Sequence, residues 1–248
     1  MANIYLKENE RIDDLEYKDL KIIQKTDGFC FGMDAVLLSD FSKNIKKGSK
    51  VIDLGTGTGI LPILLSQKTN LEHIVGVEIQ EEIAEMAKRS VTLNDLDNKI
   101  EILNTDLKKL HNIYEKGTFN VVVMNPPYKK NETGAKNENI LKLISRHEIK
   151  ANLEDFIKQA SYLLIDKGEV YIVHRPERLV DLMELLRKYK LEPKILRFVQ
   201  PNINTAANIV LIKAVKNGKQ FLKLQNNLII YDDNGNYTDE VLMIYNKK

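Results

Sequence analysis

A single cysteine, Cys30, stands among the 248 residues, so an intramolecular disulfide is excluded. The four histidines, His73, His111, His147 and His174, are scattered, and no Cys/His cluster has zinc spacing. No metal site is expected. No apolar run approaches the roughly 18 residues needed to span a bilayer. The opening MANIYLKENERIDD turns acidic early and lacks the charged-then-apolar order of a signal peptide. A cytoplasmic protein is therefore expected.

Strong charge imbalance is also missing, since the formal net charge is +2. The two halves nevertheless differ in sign. Residues 1–124 carry 16 basic and 20 acidic side chains, residues 125–248 carry 21 and 15. A polyanion would be steered toward the second half if its cations share a face; a solvated lysine-rich surface is the plainer alternative. With 43% hydrophobic and 29% charged residues, the chain has the balance of an ordinary globular domain, and its length suits one α/β unit. A single domain over 1–248 is expected, with an extension at 1–49, a core at 50–215 and a tail at 216–248.

From Lys50 onward, short β-branched runs alternate with amphipathic stretches, the pattern of crossover units on a parallel sheet. Strands are predicted at KVIDL (50–54), HIVGVE (73–78), IEIL (100–103) and FNVVVM (119–124). The last is apolar at four successive positions, as a strand buried on both faces requires. Helices are predicted at ILPILLSQ, at QEEIAEMAKRSVTLN, around 152–165 and from Pro176. EVYIVH follows Lys167-Gly168 as the fifth strand. KILRFVQ and ANIVLIKAV are joined too closely for a helical crossover, so they should pair antiparallel. A hairpin about Asn234-Gly235 is expected in the tail.

The segment DLGTGTG, running from Asp53 to Gly59, ends the first of these core strands and opens a helix. Its glycines Gly55, Gly57 and Gly59 allow a tight turn and close approach of the backbone to a ligand. Their spacing is not the G-x-G-x-x-G of dinucleotide binders, and no Gly-Lys-Ser/Thr follows for a P-loop. Glu78 closes the next strand, where a carboxylate can accept hydrogen bonds from both hydroxyls of a ribose. Asp106 follows the third at a position suited to an adenine amino group. Asp53, the three glycines, Glu78, Asp106 and the adjoining Asn125 form the candidate set for an adenosyl cofactor.

Asn125-Pro126-Pro127-Tyr128 follows the fourth core strand. An amino group conjugated to a ring is a poor nucleophile because its lone pair is delocalised. Methylating it requires acceptors that hold its N–H bonds as the nitrogen becomes tetrahedral. The Asn125 side-chain oxygen and the Pro126 carbonyl can do so. Pro127 fixes φ and stiffens that carbonyl, and Tyr128 offers a face on which a flat target can stack. These four are the candidate catalytic residues.

The succession of glycine turn, Glu78 and Asp106 resembles the class I S-adenosylmethionine methyltransferases. That resemblance implies a Rossmann-like α/β fold with helices on both faces of a seven-stranded, mainly parallel sheet whose last strand is antiparallel. The tetrapeptide resembles that of amino-methyltransferases acting on adenine, cytosine, guanine or a glutamine amide. A DNA target-recognition region and the separate helical domain of release-factor methyltransferases both find no counterpart here.

Gly28-Phe29-Cys30-Phe31-Gly32-Met33-Asp34-Ala35-Val36-Leu37-Leu38-Ser39-Asp40-Phe41 is read as a turn passing into a packing helix. Together with VGVEIQ, Ser145-Arg146-His147-Glu148, Arg175-Pro176-Glu177-Arg178 and Tyr231-Asp232-Asp233-Asn234-Gly235, it resembles the bacterial tRNA(Val) adenine-N6 methyltransferase family. The resemblance implies S-adenosylmethionine as cofactor, tRNA as substrate, and extrusion of the target base into the pocket. Lys129, Lys130, Arg146, Arg175 and Arg178 are the candidate phosphate contacts. His147 and Glu148 receive no catalytic role, because the amine loses its proton only after the carbon–nitrogen bond forms.

Overall fold

The computed structural model describes residues 6–26, 32–128 and 151–248. An antiparallel ribbon, β1 (Glu10–Asp14) and β2 (Lys21–Lys25), precedes helix α1 (Met33–Phe41). Two crossovers follow: β3 (Lys50–Leu54), α2 (Ile60–Lys68), β4 (His73–Glu78), α3 (Glu81–Leu93) and β5 (Ile100–Asn104). After a 3-10 helix at Leu107–Asn112 come β6 (Phe119–Met124), α4 (Leu153–Leu163), β7 (Leu164–His174) and α5 (Leu179–Lys188). The chain then forms β8 (Leu191–Gln200), β9 (Ile209–Lys216), β10 (Lys223–Leu224), β11 (Leu228–Ile229) and α6 (Asp239–Ile244).

The main sheet runs β10-β8-β9-β7-β6-β3-β4-β5, with β11 also against β8. All its pairings are parallel except those of β9, which runs antiparallel to both β7 and β8. The β8–β9 hairpin and the single reversed strand match the sequence expectation. The strand number does not: among the described residues the sheet has nine strands rather than seven. The two extra strands are two-residue pieces of the tail bonded along β8, too short to carry a side-chain period. The tail hairpin is reduced to a bridge between Tyr231 and Tyr237, with Gly235 at φ 79°.

β6 shows why the sheet is central. Val121 and Val123 enter the core on one face, with Ile63, Leu64 and Val91, while Val122 and Met124 enter the core on the other, with Phe156, Ile157 and Leu163. All four are 3% exposed or less. Burying each such side chain contributes about 1.5–3 kcal/mol.

From β3 the chain proceeds outward to β4 and β5, then returns to the other side of β3 as β6 and continues to β7. The order therefore reverses between β3 and β6. Ligands of open α/β sheets bind outside the carboxyl ends of the strands at such a reversal. Both chemically marked turns, Gly55–Gly59 after β3 and Asn125–Tyr128 after β6, lie there. Leu54 and Met124, the residues before them, are direct partners in the β3–β6 register.

Candidate active site

The turn after β3 is held by its neighbour. The amides of Gly55 and Thr56 both donate to the Val77 carbonyl at 2.9 Å, and the amide of Gly59 donates to the Thr56 carbonyl at 3.1 Å. Gly55, Gly57 and Gly59 have φ of 75°, 57° and 87°, a region costly to a residue with Cβ. Gly55 also has Phe156 of α4 against it: a Cβ there would lie 3.2 Å from the ring. A Cβ on Gly57 would meet nothing within 4 Å, so this residue faces open space. Gly59 caps α2 without a side-chain acceptor.

Glu78 is 3% exposed and closes the cradle. Its carboxylate accepts from the Gly57 amide at 3.1 Å and the Gln80 amide at 2.9 Å, one oxygen each. The Gln80 side-chain amide also donates to the second of these oxygens, at 3.5 Å. A carboxylate oxygen can accept twice, so the oxygen facing Gly57 keeps capacity for a ligand hydroxyl, and the other gains it if the long Gln80 side-chain bond gives way. The Glu78 carbonyl is tied to β5 by the Asn104 side chain and the Thr105 amide. This leads directly to Asp106, whose carboxylate caps the following 3-10 helix by accepting from the Lys108 amide at 2.9 Å.

Asp53 lies beneath the turn, fully buried, and neither of its carboxylate oxygens is in hydrogen-bond geometry with a described protein donor. Burial pushes its pKa up to about 7; the Thr56 hydroxyl opposes this and the Glu78 charge adds to it.

Across the strand reversal, Asn125 and Pro127 are part-exposed and Pro126 is buried. The Tyr128 hydroxyl lies 2.5 Å from Asn125 Oδ1 and 2.6 Å from Asp34 Oδ2 on α1. Its ring meets that of His174 edge-on at 5.2 Å, and the Arg175 guanidinium lies 4.8 Å from the ring centroid. Burial, then the Asp34 charge, raises the phenol pKa. His174, at the end of β7, is fully buried and accepts the Arg175 amide at Nδ1. Burial, then the Arg178 charge, pushes its imidazole down to about 4. With Nδ1 accepting, the neutral ring carries its proton on Nε2.

The structure thus brings the candidate cofactor and catalytic residues to one edge of the sheet. Arg175 and Arg178 lie near it but are already engaged. Arg175 donates to the Asn208 carbonyl at 2.9 Å and covers Tyr128, and Arg178 donates to Asp181 at 2.7 Å. Lys129, Lys130 and Arg146 lie outside the described residues, as do Cys30, His147 and Glu148. Asp34 and His174 are the residues missed by the sequence reading. Asp34 had a usable signal, being the only charge between Asp27 and Asp40 in an otherwise apolar helix start. His174 had none.

The glycine cradle with open space at Gly57 and the spare acceptor capacity of Glu78 fit an adenosyl cofactor, which for a member of the methyltransferase family matched by residues 31–190 is S-adenosylmethionine. Residues 31–190 match the model of the family described as methyltransferase small domain. A tRNA1(Val) (adenine(37)-N6)-methyltransferase of Porphyromonas gingivalis is 29% identical over 184 residues, 72% of this chain and 71% of that protein. Its namesake from Haemophilus influenzae is 25% identical over 224 residues, 90% and 92% of the two chains. Among solved structures, a predicted O-methyltransferase from Agrobacterium tumefaciens superposes with a TM-score of 0.70 at 22% identity, covering 87% of this chain and 96% of its own. An M. jannaschii tRNA m1G37 methyltransferase gives 0.61 at 17% identity, over 85% and 58%. These last two show the fold: the same sheet of alternating strands and helices. This chain belongs to the methyltransferase small domain family.

Proposed function

We propose that this protein methylates N6 of an adenine in tRNA, the adenine beside the anticodon of tRNA(Val) being the target, and that it works in the cytoplasm. The observation that carries the proposal is the placement of Asn125-Pro126-Pro127-Tyr128 beside the glycine turn, across the reversal between β3 and β6. That motif selects a conjugated amino nitrogen, and the names of the curated relatives supply the adenine and the tRNA.

Bound S-adenosylmethionine supplies an electrophilic methyl group on a sulfonium. The residues of this chain then have separable tasks. Gly55, Gly57 and Gly59 admit the cofactor, with Asp53 beneath them; Glu78 accepts its ribose hydroxyls, and Asp106 its adenine amino group. The Asn125 side-chain oxygen and the Pro126 carbonyl accept the N–H bonds of the target, favouring a tetrahedral nitrogen in the transition state. Pro127 limits movement of that carbonyl. Tyr128 packs against the extruded base, an interaction contributing roughly 1–3 kcal/mol. Lys129, Lys130, Arg146, Arg175 and Arg178 are proposed to meet the RNA backbone. Arg178 would exchange Asp181 for phosphate, whereas Arg175 would keep its Asn208 anchor and offer its other guanidinium donors.

The test is the destination of a labelled methyl group. The purified protein is given labelled S-adenosylmethionine with unmodified tRNA(Val), bulk tRNA, duplex DNA or a release factor. Label in tRNA(Val) supports the proposal. Label in a glutamine of the release factor keeps the chemistry and replaces the substrate. Retention of the donor without turnover points to a binding module.

A further inference from the structure

The contacts of Tyr128 pose a proton-counting problem. Its hydroxyl carries one hydrogen, yet it lies 2.6 Å from Asp34 Oδ2 and 2.5 Å from Asn125 Oδ1. A carboxylate is the stronger acceptor of the two, so the hydrogen belongs to Asp34. The phenol keeps that hydrogen, because burial and the Asp34 charge hold its pKa above the ordinary tyrosine range. The phenol oxygen then faces Asn125 as an acceptor.

Two acceptors at that separation repel. A half-turn about the last side-chain bond of Asn125 exchanges its amide oxygen and nitrogen and sets an N–H opposite the phenol oxygen. The same half-turn moves the amide oxygen to the side that Tyr128 leaves uncovered, where it can accept from an incoming amino group. The opposite orientation would occupy that oxygen with the tyrosine and present an amide N–H to a nitrogen that is itself an N–H donor.

The rest of the cluster holds this arrangement. Arg175 stacks on the Tyr128 ring, lies 4.0 Å from the same Asp34 oxygen and is anchored on the Asn208 carbonyl. Asp34 sits in the first turn of α1 with its side chain 17% exposed.

We propose that Asp34 is a positioning residue for methyl transfer: through the Tyr128 hydroxyl it determines which end of the Asn125 amide faces the acceptor nitrogen. This rests on the reading of Asn125 as the group that accepts the target's N–H, and it adds a residue from outside the Asn125–Tyr128 turn, supplied by α1.

Three variants test it. In Asp34→Asn, the new amide can donate to the phenol oxygen, releasing the phenol hydrogen to the Asn125 oxygen. The kcat for methylating tRNA should fall roughly 100-fold, the scale of losing one transition-state hydrogen bond, with the KM for S-adenosylmethionine unchanged. Tyr128→Phe keeps the ring but cuts the relay, and its kcat should fall at least about tenfold. The double variant should equal Tyr128→Phe alone, since without the hydroxyl residue 34 has nothing to orient. Wild-type kcat in Asp34→Asn, or losses that multiply in the double variant, would overturn the proposal. If Asp34→Asn no longer binds S-adenosylmethionine, Tyr128→Phe decides: an unchanged kcat overturns the relay and a loss of kcat at constant KM supports it. Asn125→Ala separates the underlying reading. Turnover that survives it removes the role of Asn125, whereas its loss together with a fully active Asp34→Asn removes only the relay.

Discussion

Gly57 donates its amide hydrogen to Glu78 Oε2 at 3.1 Å, so the turn that follows β3 and the carboxylate that ends β4 form one unit. The glycine supplies a positive φ and open space; the glutamate supplies acceptors that the turn itself lacks. Replacing Glu78 by glutamine keeps one side-chain oxygen for this amide while removing the charge. The dissociation constant for S-adenosylmethionine, measured by calorimetry, should rise by one to two orders of magnitude, since a hydrogen bond to a charged group contributes about 1.5–3 kcal/mol. The kcat at saturating donor should stay close to wild type. An unchanged dissociation constant would remove Glu78 from the cofactor site.

Asp53 gives the protein a pH dependence of known sign. The folded protein holds this proton up to about pH 7, whereas the unfolded chain releases it near 3.8. The folded state thus binds more protons between these values, and stability falls as pH rises through the window, by up to about 1.4 kcal/mol per pH unit. Above about pH 7 the loss is complete. Urea unfolding of the cofactor-free protein at pH 5.5 and pH 8, compared with Asp53→Asn, isolates the effect. The variant should lack this contribution and exceed the wild type at pH 8. Parallel pH profiles would show that Asp53 finds compensation in the folded state.

The ribbon β1–β2 is fastened to α3 by charge. Arg89 makes two bonds of 2.7 Å to Glu10, whose side chain is 2% exposed, and two further bonds to Glu85. Arg89→Met leaves the Glu10 carboxylate covered and without this cation, and should lower stability by about 3 kcal/mol. Adding Glu10→Gln should recover part of the loss. A thermal midpoint unmoved by Arg89→Met would show that the ribbon is held instead by the fully buried Ile22 and Ile23 and by the bonds of Ile23 to Ser90 and of Lys21 to Asn94.

The central part of this fold was legible because its strands are buried on both sides. β3, β4 and β6 have the bounds predicted for them, 50–54, 73–78 and 119–124, each being built around a short apolar run. The hairpin β8–β9 followed from connection length alone. Burial gives no such signal in β1, where Glu10, Arg11, Asp13 and Asp14 are charged and the strand is held from a distance by Arg89. Backbone pairing without side-chain burial hid β10, whose two residues are exposed. In the candidate site, the groups adjoining their own motifs were found. Asp34 reaches the site from 94 residues away in sequence, and only the packing of α1 brings it to Tyr128.

The most direct test of the account compares tRNA(Val) incubated with S-adenosylmethionine and either the wild-type protein or Asn125→Ala, then digested to nucleosides for mass spectrometry. N6-methyladenosine is expected with the wild type and a loss of roughly 100-fold or more with the variant at saturating donor. Methylation at another atom, or an equal yield of N6-methyladenosine from the variant, would contradict the account.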